Sequence, residues 1–372
     1  MSLVPLHSGC STADKISYGF ECGISRILIS LSRQRHPVFM RNLFLVTVTY
    51  GHRLNLLAQT LASAFREGVA HAIVVNNASD DPVEEHLSKQ YGDWVTCVAF
   101  CSNTGSANAY KAGMAKAVEM GAEFLFLLDD DNVIGEGALS ILIAGYLECA
   151  GSIAPDRLSV LACRPDHHAD VLAGLGEKRA NPKPGSFLGF HLADIPFKFW
   201  RRTPWFRLLA ARVPMPAMMR MDIAPYSGML FHVSVLEKHG YPDTRFVLYG
   251  DDSEFSFRIT HAGGSNILIT GAGLTDLETS WNLKEKKDSS FRSWLRGEGD
   301  FRVYYAARNG AYFEHFVRPH NRLERNINKK IYLFMLWLEA MRSGRVERFR
   351  LILYGIADGE SARLGMNPRF IL

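Results

Sequence analysis

Residues 43–65 read LFLVTVTYGHRLNLLAQTLASAF, and the change of period inside that stretch decides the fold class. Leu43 to Thr49 is an unbroken apolar and β-branched run, the pattern of a parallel strand buried on both faces. From Leu54 to Phe65 the apolar residues return every three or four positions, as on one face of a helix. The rhythm then repeats. Ala72 to Val75 reads as a second strand, Asn77 to Asp81 as a polar turn with Pro82 opening a helix, and Val95 to Phe100 as a third strand. Ala107 to Met120 reads as the next helix, and Phe124 to Leu128 (FLFLL) as a fourth strand that stops at Asp129-Asp130-Asp131. This alternation predicts an α/β fold with a mainly parallel sheet flanked by helices.

In such sheets ligands collect beyond the carboxyl ends of the strands, which singles out Thr49, Tyr50, Asn76, Asn77, Asn103 and the three aspartates. Adjacent carboxylates after a buried strand repel one another and raise each other's pKa unless a cation compensates. Carboxylates suit Mg²⁺ or Mn²⁺, which bind through one or two of them together with substrate phosphate oxygens. The plain alternative is an acidic turn capping the following helix. A second cluster, Asp251-Asp252-Ser253-Glu254, follows Phe246 to Gly250, read as the end of another strand, and opens the helical run Phe255 to His261. Its plain alternative is an N-cap with first-turn acids. Two clusters on one sheet edge predict a division of labour. One holds metal and diphosphate while the other takes the proton from an attacking hydroxyl.

Composition sets limits on the alternatives. With 47% apolar and 22% charged residues in a chain of 372, a large core is expected and wholesale disorder is excluded. A net charge of +4 is too small for a polyelectrolyte binder, so no nucleic-acid partner is expected. Cys10, Cys22, Cys97, Cys101, Cys149 and Cys163 form no metal-binding or redox pair and read as reduced thiols. No apolar run reaches the roughly 18 to 20 residues that span a bilayer. The expected location is cytoplasmic, or peripheral on the inner face of the cytoplasmic membrane.

The succession VTVTYGHR (46–53), VVNNASDD (74–81), NTGSANAYKAG (103–113), LLDDDN (127–132) and LYGDDSEFSFR (248–258) resembles the inverting family-2 glycosyltransferases, which have a GT-A-like fold. Within that family the chain is most similar to bacterial rhamnosyl- and galactofuranosyltransferases of cell-surface polysaccharide synthesis, over roughly Leu43 to Phe313. The resemblance implies a nucleotide-sugar donor, UDP- or dTDP-linked, and a glycan or polyprenol-linked acceptor. It implies that Thr49, Tyr50, Asn76 and Asn77 line the nucleotide pocket, with Asn76 where the family usually has an aspartate. Gly105 and Ala107 match small residues that let the backbone approach the nucleoside. Asp129 and Asp131 match direct metal ligands, Asp130 a donor-binding carboxylate, Asp252 the catalytic base and Asp251 its usual glutamate neighbour. Asp276 stands where related galactofuranosyltransferases complete the metal site with histidine, and Arg308, in YYAARN (304–309), is implied to meet a phosphate.

Rival classes lack their signatures. A sugar-phosphate nucleotidyltransferase needs a Gly-rich basic loop where Thr49 to Arg53 stands, and a dinucleotide-dependent enzyme needs a G-x-G-x-x-G after a strand. Residues 1–40 read as an N-terminal extension, 41–315 as the catalytic domain, and 316–372 as a helical basic and apolar section. Residues 195–221 interrupt the rhythm with Pro, Trp and Arg, as a surface insertion or as a lid and acceptor platform. Near the C-terminus, Ile331 to Met341 (IYLFMLWLEAM) lies between Arg318, Arg322, Arg325, Lys329, Lys330 and Arg342, Arg345, Arg348, Arg350. That pattern predicts either an interfacial helix on an anionic membrane surface or packing against the catalytic domain or a second subunit, so homo-oligomerisation stays open.

Overall fold

In a computed structural model of the chain the described residues are 42–206, 215–278, 290–319 and 321–372. The 1–40 extension lies outside them. Strands β1 (Leu43–Gly51), β2 (His71–Ser79), β3 (Val95–Phe100) and β4 (Phe124–Asp129) run parallel in the order β3-β2-β1-β4. Helices α1 (Leu54–Arg66), α2 (Val83–Tyr91) and α3 (Ser106–Glu119) make the crossovers between them. Each lies within a residue or two of its expected position, except β2, whose polar end Asn76–Ser79 continues the ladder as far as the pair Gly51 and Ser79.

Beyond β4 the sheet is mixed. β8 (Met229–His232) pairs antiparallel with both β4 and β6 (Leu158–Cys163), β6 pairs parallel with β9 (Ser265–Asp276), and β7 (Met218–Met221) and β5 (Asn132–Ile134) pair antiparallel with β9. Register sets the geometry that matters, because Asn132 pairs with Asp276 and so brings the end of β9 back to the aspartates that follow β4. Helix α4 (Ala138–Ala150) packs on β6 and β9, and α5 (Ile195–Trp200) and α6 (Ser234–His239) follow along the chain. Fully buried Val46, Ile73, Leu125, Leu127, Met114 and Phe231 form the main core, each contributing about 1.5–3 kcal/mol of transfer free energy.

The segment 244–250 departs from the expected strand. Thr244–Phe246 is one 3-10 turn, and Val247 and Tyr249 then adopt φ of 68° and 66° before α7 (Asp251–His261) begins. A β-branched residue in the left-handed region costs on the order of 1–3 kcal/mol and persists only where neighbours enforce it. The second acidic cluster therefore follows a strained loop.

Helices α8 (Ser290–Arg296), α9 (Asp300–Tyr312), α10 (Arg322–Ser343) and α11 (Val346–Glu360) form a C-terminal layer. Their shared core joins Val303, Ala307, Tyr332, Leu336 and Ile352 to Phe187 and Phe190. The helical section thus draws on residues well before 316. Gly359 lets α11 approach α9 closely, since a Cβ there would meet the Arg308 carbonyl oxygen at 2.1 Å.

Candidate active site

The three aspartates leave β4 in different directions and meet different cations. Asp130 turns inward, 3% exposed, where Arg53 Nε donates to its two oxygens at 2.9 and 3.0 Å. Burial, with help from the charge of Asp131, pushes its carboxyl up to about 7 against the pull of Arg53. Asp129 accepts a hydrogen bond from the Tyr110 hydroxyl at 2.9 Å and another from Arg164 Nη1 at 3.3 Å. Asp131 lies 3.2 Å from Arg53 Nη2, and burial together with the charges of Asp129 and Asp276 raises it to about 6. Asp276 accepts from Arg164 Nε at 2.9 Å and from Asn132 Nδ2 at 2.7 Å.

Asp129, Asp131 and Asp276 are thus close enough to perturb one another, and all offer oxygen. That donor set fits a hard divalent cation in type and in charge. The carboxylates face Arg53 and Arg164, and among the described residues no three acidic, histidine or cysteine side chains are already arranged around one cation position.

The second cluster faces the first. Asp251 and Asp252 occupy the first turn of α7, where the helix dipole favours negative charge. Ser106, the first residue of α3, donates through Oγ to the two oxygens of Asp251 at 3.1 and 3.0 Å. Asp252 accepts from the Ser253 amide at 2.6 Å. Burial pushes Asp252 up to about 6 and Asp251 further, and the field at Asp252 includes Asp129, which raises it, and Arg164, which lowers it. The rings of Tyr110 and Tyr226, 4.5 Å apart, fill the wall between the clusters.

The remaining expected residues divide. Thr49 is fully buried at the end of β1, while Tyr50 is 36% exposed with the Arg53 guanidinium 5.2 Å from its ring centroid. Asn76 accepts from the Ser79 amide at 2.8 Å. Asn77 is spent on the next loop, donating to Asn103 Oδ1 at 2.8 Å and accepting from the Thr104 amide at 2.9 Å. Gly105, at φ 82°, is small for a reason within the chain: a Cβ would lie 2.1 Å from the Val247 carbonyl oxygen, which also accepts from the amide of buried Ala107.

Arg308 departs most from expectation. It is 1% exposed, and its guanidinium donates to Asn309 Oδ1 and to the carbonyls of Arg245, Phe246 and Gly365. In this structure it braces the strained loop from behind, and its buried donors serve the chain itself in place of a phosphate. The sequence reading also passes over Arg164, although it directly follows the buried run Leu158–Cys163 and so obeys the strand-end rule that selected the aspartates.

Comparison with known proteins bears on this arrangement. Residues 44–182 match the model of glycosyl transferase family 2. Galactofuranosyltransferase GlfT1 of Mycolicibacterium smegmatis is 26% identical over 225 residues, 59% of this chain and 65% of that protein. GlfT1 of Mycobacterium tuberculosis (strain CDC 1551 / Oshkosh) is 27% identical over 227 residues, 60% of this chain and 66% of that protein. The match thus spans about two thirds of the length of these relatives. A solved mannosyltransferase, PcManGT of Pyrobaculum calidifontis with GDP-Man and Mn²⁺, superposes with a TM-score of 0.46 at 12% identity, over 92% of this chain and 94% of that one. The stretch that supplies Arg53, the three aspartates and Arg164 thus lies within the residues that match the model of glycosyl transferase family 2.

Proposed function

We propose that the chain is an inverting glycosyltransferase that moves a sugar from a nucleotide diphosphate donor to a hydroxyl of a glycan or lipid-linked glycan in cell-surface polysaccharide synthesis. The observation that carries this reading is the shared electrostatic neighbourhood of the two acidic clusters. Arg164 binds Asp129 directly, and the charges of both act on Asp252.

The roles follow from surroundings. Asp252 accepts the proton of the acceptor hydroxyl as that oxygen attacks the anomeric carbon. Asp251, the more strongly raised, keeps its proton near neutrality, so a second charge does not compete beside the base. Thr49, Tyr50, Asn76 and Asn77 belong to the nucleotide side and Asp130 to the donor, while Ala107 and Gly105 shape the loop between. A divalent cation, Mn²⁺ or Mg²⁺, held by Asp129, Asp131 and Asp276, would supply charge neutralisation to the departing diphosphate. Arg53, paired with Asp131, and Arg164, paired with Asp129 and Asp276, partly neutralise those carboxylates.

UDP-galactofuranose and dTDP-rhamnose are the proposed donors. Incubation of the full chain with a panel of nucleotide sugars and Mn²⁺, followed by mass spectrometry, tests the reading. Release of nucleoside diphosphate from one of these donors is expected. Turnover only with a nucleoside triphosphate and a sugar phosphate would overturn it in favour of nucleotidyl transfer.

A further inference from the structure

Helix α10 is apolar on two opposite faces. One face buries Arg325, Asn328, Tyr332, Leu336 and Ala340 against the C-terminal core. The other carries Leu323, Ile327, Phe334, Trp337 and Met341, between 42% and 70% exposed. At 100° per residue these five fall within about 80° of arc, centred opposite Tyr332, and run for about 27 Å along the axis. Asn321 caps the helix, accepting from the amides of Leu323 and Glu324 at 2.9 and 3.3 Å, so the stripe belongs to an ordered helix from its first turn.

The cations around the helix separate into two groups. Arg318, Arg325, Lys329 and Arg348 are paired with Asp222, Glu360 and Asp300 inside the fold. Arg322, Lys330, Arg342 and Arg345 are exposed and have no ion pair among the described residues. Lys330 lies within the stripe and the arginines at its two ends. The acids of the helix are already engaged, Glu324 by His191 and Glu339 by Arg292. A neighbouring segment repeats the chemistry: α5 (Ile195–Trp200) and the six residues after it expose Phe199, Trp200 and Trp205 beside Lys198 and Arg202. It is joined to α10 by the bond from the Leu192 amide to Asn328 Oδ1 at 2.9 Å.

We infer that this outer face of α10 docks the protein on an anionic lipid bilayer, the apolar stripe entering the headgroup boundary while Arg322, Lys330, Arg342 and Arg345 meet lipid phosphates. An exposed stripe with Trp, Phe and unpaired cations suits that boundary. Among the described residues no helix is long and apolar enough to cross a membrane. Its purpose rests on the glycosyltransferase reading, since a polyprenol-linked acceptor would be met at such a surface.

Co-sedimentation of the full chain with phosphatidylglycerol-containing vesicles, beside pure phosphatidylcholine vesicles, tests the inference. The wild type should pellet with the anionic vesicles at low salt and be released at high salt. Phe334→Glu with Trp337→Glu, and separately Lys330→Glu with Arg342→Glu, should each weaken binding by more than about tenfold. Thermal melting and donor turnover should stay at wild-type values in both variants. A wild type that stays in the supernatant overturns the inference. So does unchanged vesicle binding by the variants, or a stripe variant that converts a wild-type dimer to monomer without affecting lipid binding. Loss of donor turnover in every protein with vesicle binding intact would instead count against the proposed function alone.

Discussion

Asn309 donates to the carbonyl oxygen of Tyr249 at 2.7 Å, and the same amide nitrogen lies 2.8 Å from the carbonyls of Phe246 and Leu248. One side chain on α9 thus gathers the loop in which Val247 and Tyr249 are held at positive φ, two residues before Asp251. Backbone strain next to the proposed base is thus maintained from a helix of the C-terminal layer.

Asn309→Ala should therefore slow the chemical step through Asp252 without removing any group from the cleft. Misplacing a catalytic group by about 1 Å can cost about a hundredfold. Steady-state kinetics should show kcat lowered by roughly ten- to a hundredfold with donor KM within about twofold of the wild type. An equal loss through KM would mean that the loop binds donor instead of positioning the base.

Arg164 is the countercharge that lets Asp129 and Asp276 lie near Asp131. Arg164→Met leaves those carboxylates without their cation, a loss felt more at Asp276, 14% exposed, than at Asp129, 42% exposed. A divalent cation would supply the missing charge, so added Mn²⁺ should raise the melting temperature of the variant more than that of the wild type. Equal shifts in the two proteins would separate Arg164 from the carboxylates proposed to hold the cation.

Stability should also depend on pH in a defined direction. Asp130 and Asp131 have folded-state pKa values near 7 and 6, above the ordinary carboxylate value of about 3.8, so folding takes up protons between those limits. The contribution of these groups is fully present below about pH 4 and is lost as pH rises through 6 to 7. With chelator present, the melting temperature of the wild type should fall between pH 5 and 8 more steeply than that of Asp131→Asn. A wild type and variant with the same slope would show that Asp131 is not held in the raised state.

The rate should follow the opposite sign. Asp252 must be ionised to accept a proton, and burial sets its pKa near 6, so log kcat/KM should fall with unit slope as pH drops below about 6. Arg164→Met removes a charge that lowers that value and should move the acid limb to higher pH. A profile flat from pH 5 to 7 would rule out a carboxylate base with this environment.

The parallel half of the sheet was legible because local period and tertiary environment agree there. LFLVTVT and FLFLL can only be buried strands, and the residues at their carboxyl ends, Thr49 and Asp129, lie where the strand-end rule puts them. Residues 246–250 misled because an aromatic and aliphatic run before a turn looks like a strand, while the loop geometry is imposed by Asn309 and Arg308, some sixty positions later. The same distance hides the role of Arg308, whose charge suggests a phosphate although its burial assigns it to backbone carbonyls. For the basic C-terminal section, composition alone could not tell Arg325 and Lys329, consumed by Glu360, from Lys330, which faces outward.

Asp252, proposed as the base of a cleft shared with the aspartates of β4, is best probed by the Asp252→Asn variant. Donor affinity of this variant by calorimetry, measured beside single-turnover sugar transfer with the donor that the panel identifies, separates binding from proton transfer. With Asp252 as the base, transfer should fall by roughly a hundred- to ten-thousand-fold while donor affinity stays within about twofold of the wild type. Transfer at the wild-type rate would contradict that role.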